Sequence, residues 1–395
     1  MKNGMSAKEL LPLIGIAFSA FVFNTSEFMP IALLVDIAAD FQVSESQAGI
    51  LITAYAWAVC VLSLPLMVFA SRFGFRNLLL GLVALFGTCQ VLSALAPGYW
   101  TLMAARIACA HAVFWSIASP AAVRVVRIEH QSLALSAIVT GSSVAMICGL
   151  PLGRVVGLAL GWRMTFFCIA AVSFGVLAYL AAVFPKVPAG ERFSARELPK
   201  LLRNPVLMGV YVVTALMATA YYTGYSYIEP FLQQIGGFSD GSITAALSIF
   251  GIAGIAGSGL FARLYTGRRR RFAFLVLALF GITASLFLML PCTTGFAFVS
   301  SMCVLWGACA TAFNVSLQSE ILKYAPEGAA AVAMSIFSGI FNLGIGSGSA
   351  IGGAVSSGMS ISWVGIVGGF IGVAGVVACA VFLIPSMSKR GVVPK

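Results

Sequence analysis

Charge is what this sequence has least of. Only 9% of its 395 residues are Asp, Glu, Lys or Arg, against roughly a quarter in an ordinary soluble domain, which excludes a soluble multidomain enzyme. Acidic residues number 12, and there are two histidines, His111 and His130. The nine cysteines sit singly inside apolar stretches with no C-x-x-C spacing, so neither a disulfide framework nor a metal cluster is expected. What the chain does have is apolar residues, 60% of the total. They come in long runs broken by short polar or Gly/Pro clusters, the pattern of a protein that crosses a membrane many times. The run after Met1–Glu9 is too long for a signal-peptide core and has no small-residue cleavage site, so it reads as a retained first span.

A span needs about 20 apolar residues. That length predicts twelve transmembrane helices, near 11–38, 47–70, 78–97, 100–122, 132–158, 164–184, 206–230, 242–262, 272–291, 295–318, 331–356 and 362–385. Basic residues set the orientation. With a cytoplasmic N-terminus, 20 of the 23 Lys and Arg fall inside, leaving Arg163 in an outer turn and Arg106 and Arg154 within spans. The outer connections carry Asp36, Asp40, Glu45 and Asp240. Both termini are therefore expected in the cytoplasm, and the net charge of +11 reflects loops facing lipid headgroups rather than nucleic acid. The longest polar interval, 185–205, divides 1–184 from 206–395 as a cytoplasmic linker between two six-helix bundles. The halves echo each other: Ala108-Cys109-Ala110-His111-Ala112 recurs as Ala308-Cys309-Ala310-Thr311-Ala312. The arginine loop after span 2 matches the one after span 8, and glycine-rich span 5 matches span 11. Two such halves, related along the membrane normal, describe the all-α major facilitator fold.

The stretches Phe23–Pro30, Ala110–Ile117, Gly149–Arg154, Gly161–Phe167, Tyr225–Phe231 and Phe337–Gly346 resemble those of the bacterial sugar efflux transporters of that superfamily. The resemblance implies a proton-driven antiporter of the bacterial inner membrane that expels sugars and related small solutes. It needs no cofactor beyond the proton gradient. Its partners would be a small sugar, protons and lipid, with no nucleic acid, acting as a monomer. The loop after span 2 keeps Arg72, Gly74 and Arg76 of the family pattern but lacks its acid; the alternatives are a charge relay with neighbouring helices and simple anchoring. Its counterpart, Arg263 with Arg268–Arg271, reads as an anchor against anionic headgroups. Span 5 resembles the antiporter motif through Gly149, Pro151 and Gly153. Its small residues Gly141, Ala145, Gly149, Gly153, Gly157 and Gly161 recur every four positions, either as a packing seam or as the seam where the halves rock.

An ionisable residue inside a span is a functional hypothesis by default. At ~1.5 Å per residue, Glu27 lies roughly 24 Å from the inner face and Arg106 roughly 9 Å from the outer one, both in the outer third. Arg106 matches the arginine of the family's span 4 motif, with Cys109 and Ala110 where that motif has Gln and Gly. Glu27 is read as the proton-coupling group, with a permanent ion pair to Arg106 as the alternative. His111 and Asn342 are expected near the midplane from different halves, placed to hydrogen-bond sugar hydroxyls. Asn24, Trp115, Tyr222, Tyr225, Ser338 and Phe341 join them as substrate contacts, or else as packing and interface aromatics. Glu229 is expected near the outer surface, where its charge is cheap. Uptake by symport and multidrug export use the same fold. An intramembrane enzyme lacks a nucleophile–base pair, and a channel lacks a polar ring.

Overall fold

The computed structural model describes residues 5–70, 73–109, 114–186, 201–265, 268–290, 295–326 and 329–389. Among the described residues all regular structure is helical, and ten helices are long and apolar enough to cross a membrane. Among the described residues the predicted fourth and fifth spans each hold more than one helical segment. Span 4 comprises α5 (Tyr99–Ala108) and α6 (Phe114–Val125), and span 5 comprises α7 (Gln131–Val144), a π-helical turn (Ala145–Gly149) and α8 (Leu150–Leu160). The all-helical membrane architecture expected from the sequence is the one observed.

The chain divides into two compact units, Met1–Gln42 with Ala58–Phe193, and Val43–Trp57 with Ser194–Lys395. In the first unit, α1 (Ala7–Ala32) runs into the short α2 (Leu34–Phe41), and α4 (Phe75–Ala94) packs on α9 (Trp162–Val183). Every residue of α1 from Val22 to Ala32 is buried, including Asn24, Thr25, Ser26 and Glu27. A helix apolar all round except for such a cluster belongs at the centre of a bundle. Span 5 lies against it through its small face. A β-carbon on Gly141 would stand 2.2 Å from the Ala17 carbonyl oxygen, so only glycine permits that approach. Gly149, Gly153 and Gly157 meet Thr25, Met29 and Leu33 in turn. Gly161, at φ +87°, turns the chain from α8 to α9. At this turn Arg163 pairs with Asp40, which also accepts from Trp162 Nε1 at 3.3 Å.

The helix α3 (Glu45–Ala70) is shared between the units, its first part grouping with the second. There Ser46 Oγ donates to Gly353 O at 2.9 Å and Ser349 Oγ to Gly49 O at 3.1 Å. The unit continues with α10 (Pro205–Tyr225), α11 (Ile228–Gln234), α12 (Asp240–Leu264), α13 (Arg268–Phe287), α14 (Phe296–Tyr324), α15 (Ala330–Gly358) and a last span, α16 (Val364–Ala378), a π-helical turn (Cys379–Leu383) and α17 (Ile384–Lys389). Asn204 starts α10 by accepting from Val206 N at 3.1 Å, with Pro205 in the first turn. Gly344, Gly348 and Gly352 seat α15 on α10, repeating inside this unit the seam that joins span 5 to α1.

The first and seventh spans break alike, at Leu33 (φ −127°, ψ 18°) and Tyr227 (φ −116°, ψ 17°). Ser26 and Pro30 recur as Ser226 and Pro230, an offset of 226 − 26 = 200 that equals the offset between spans 4 and 10.

Candidate functional site

The first unit concentrates charge on one point of α1. Proline has no N–H and crowds the carbonyl four residues earlier, so Pro30 leaves the Ser26 carbonyl without its helical partner. Arg106, on α5 and 1% exposed, fills that vacancy. Its Nη1 donates to Ser26 O at 3.0 Å and to Ser26 Oγ at 3.3 Å, and its Nη2 to Glu27 O at 3.3 Å. Its charge acts electrostatically on the buried Glu27 carboxyl. The proline in one helix thus leaves a socket for a cation from another, beside a buried acid. Asn24 spends its Nδ2 on Ala20 O at 3.0 Å within its own helix.

Three residues to which the sequence assigned no site role, Gln90, Ser26 and Arg154, complete this region. Gln90 on α4 is wholly buried and donates to Ser26 Oγ at 2.7 Å. Ser26 is the shared acceptor. Arg154, 1% exposed on α8, donates to Ala32 O at 2.9 Å, one of the carbonyls stranded where α1 ends. The sequence signal for Ser26 was Pro30 four residues on; Gln90 carried none beyond being polar in an apolar run.

Other predicted residues divide clearly. His111 and Arg72 lie outside the described residues, and Trp115 falls on α6 with its side chain outside the description. Gly74 precedes the first residue of α4. Arg76 donates to Phe184 O at 2.9 Å and Ala181 O at 2.7 Å, closing the last carbonyls of α9. Gly149 ends the π-helical turn, and Pro151 and Gly153 follow on α8. A cavity of about 200 Å³ lies between α1, α8 and α9, lined by Thr25, Met29, Gly149, Gly153, Thr165 and Cys168 among others. None of the predicted sugar-contact residues lines it.

In the second unit, Tyr222 and Tyr225 on α10 face each other at 6.2 Å between ring centroids, and Tyr222 stands 6.2 Å from Phe341. Asn342 Nδ2 donates to Ser338 O at 3.0 Å, while its buried Oδ1 has no hydrogen-bond partner among the described residues. The sequence reading missed the rest of this aromatic group. Tyr225 lies 4.9 Å from Tyr221 and Phe250 and 5.8 Å from Trp306. Trp306 is fully buried, and its Nε1 finds no acceptor among the described residues. Its number is 106 + 200, so the repeat offset aligns the tryptophan with Arg106. Where the first unit places a buried cation, the second places an indole amid phenols.

Two expectations are corrected. Arg271 is not a lipid anchor: it is buried on α13, with Nη2 3.7 Å from Glu320 Oε2 on α14. Glu320, wholly buried, also accepts from Tyr265 Oη at 2.7 Å and Lys323 Nζ at 3.0 Å. A buried carboxylate needs such partners, and a run of four arginines hid which one would turn inward. Glu229 is 1% exposed rather than solvated, because α11 packs its first turn inside the unit.

The sequence profile of the Major Facilitator Superfamily matches residues 16–340, most of the chain. The chain belongs to that superfamily. It is a multi-pass membrane protein of solute transport, a transporter rather than an enzyme. Its fold is similar to that of a bacterial homologue of the human lysosomal transporter Spinster, in an inward-facing and unoccupied conformation. That match has a TM-score of 0.73 at 16% identity, covering 98% of this chain and 94% of that one. It is likewise similar to the human organic anion transporter TETRAN, with a TM-score of 0.71 at 13% identity, covering 94% of this chain and 99% of that one.

Proposed function

We propose that this superfamily member is a proton-coupled exporter of sugars and related small solutes, working by alternating access in the bacterial inner membrane with both termini in the cytoplasm. The observation that carries the reading is Glu27, a buried acid on a proline-containing helix whose carbonyls at Ser26 and Glu27 are held by the buried Arg106. An acid kept from water beside a fixed cation changes its proton affinity whenever either group moves, which is what coupling requires. Asn342 and the Tyr222, Tyr225 and Phe341 aromatics meet the substrate, with His111, Asn24, Trp115 and Ser338 as the remaining contacts. The Asn342 Oδ1, without a partner among the described residues, supports this role, since a buried acceptor without a partner is costly unless a ligand supplies one. Sugar as the substrate, and export as the direction, rest on the resemblance to the sugar efflux transporters.

The test is transport by the purified protein in proteoliposomes that hold a pH-sensitive dye, challenged with a panel of pentoses, hexoses, β-galactosides and cationic drugs. Sugar flux with opposite proton flux is expected. Drug flux without sugar flux would replace the substrate class, and proton movement in the same direction as sugar would make the protein a symporter.

A further inference from the structure

Gln90 has no exposed surface, and its side chain joins three helices. Its Nε2 donates to Ser26 Oγ on α1 at 2.7 Å and to Cys109 Sγ, at the end of α5, at 3.1 Å. Ser26 Oγ accepts from Arg106 Nη1 as well, at 3.3 Å, and the Ser26 carbonyl takes the same nitrogen at 3.0 Å. We propose that Gln90 is a positioning residue of the coupling site, which holds Ser26 and through it sets how closely the Arg106 guanidinium approaches the Glu27 carboxyl. This rests on the coupling role proposed for Glu27.

Three physical points favour positioning over packing. A leucine would fill a similar volume without the cost of burying a carboxamide at membrane depth, so the polar group is there for its bonds. Only its donor side is used, because Oε1 is buried with no partner among the described residues. With two donors on one hydroxyl, Ser26 cannot turn without breaking one of them, and in a low-dielectric interior a small change in separation alters a charge–charge interaction strongly.

An infrared pH titration of the reconstituted protein resolves the C=O stretch of protonated carboxyl groups. The component that Glu27→Gln removes belongs to Glu27. Its midpoint pH is compared in wild type, Arg106→Ala, Gln90→Leu, the near-isosteric Gln90→Met, Ser26→Ala and Cys109→Ala. The midpoint in both Gln90 variants should move at least halfway to that of Arg106→Ala. Ser26→Ala should follow them, and Cys109→Ala should move less. If Arg106→Ala shifts the midpoint while Gln90→Leu and Gln90→Met leave it at the wild-type value, Gln90 only packs and the inference fails with the coupling reading intact. Should neither Gln90 variant fold, an unmoved midpoint in Ser26→Ala overturns the inference equally. If no titrating component disappears in Glu27→Gln, the coupling reading itself fails.

Discussion

Among the described residues Asn342 has one amide hydrogen bond, to its own helix, and one acceptor left over. If a sugar hydroxyl fills that acceptor, Asn342→Ala removes a hydrogen bond worth about 0.5–1.5 kcal/mol, a loss in affinity of about twofold to tenfold. Equilibrium binding of the transported sugar measures it, and unchanged affinity would remove Asn342 from the site. His111→Ala is expected to weaken binding to the same degree. Residues of this kind were legible in the sequence because a polar or ionisable group inside a span stands out against an apolar background. Glu27, Arg106 and Asn342 were singled out that way. Trp306 and Tyr221 were not, since an aromatic residue in an apolar run looks like core until its neighbours are known.

Two helix features each carry a prediction. Pro30 exposes the Ser26 carbonyl that Arg106 occupies. Pro30→Ala returns an N–H to position 30, which competes for that carbonyl within the helix. The variant should fold and bind substrate while losing proton-driven accumulation, the same outcome expected of Arg106→Ala; wild-type accumulation would show that the proline only shapes the helix. At the ends of α13 and α14, Glu320 answers to Arg271, Lys323 and Tyr265. Deleting one partner of a buried ion pair costs about 3–5 kcal/mol because the other charge is stranded. Glu320→Ala should therefore lower the thermal unfolding midpoint in detergent clearly, and Glu320→Gln, which still accepts from Tyr265, by less. An unchanged midpoint in Glu320→Ala would mean that the cluster is solvated. The span boundaries were readable from hydropathy, but these contacts were not, because tertiary packing selects Arg271 from four adjacent arginines with nothing local to mark it.

On the scale of the whole chain, the fold was the most legible feature. Apolar runs, the placement of Arg and Lys, and the Ala108–Ala112 and Ala308–Ala312 echo all state the duplicated architecture directly. What duplication conceals is divergence, since the same offset sets Arg106, a buried cation, against Trp306, a buried indole among tyrosines. Proton coupling is assigned to the first unit because Glu27 is buried there on the helix whose carbonyls hold the Arg106 guanidinium. The most direct measurement compares wild type with Glu27→Gln in proteoliposomes, following radiolabelled sugar both down its own gradient in exchange and against it under an imposed proton gradient. Glu27→Gln, a fixed mimic of the protonated acid, should keep exchange near the wild-type rate and lose uphill transport together with proton movement. Full proton-driven uphill transport by Glu27→Gln would contradict the account.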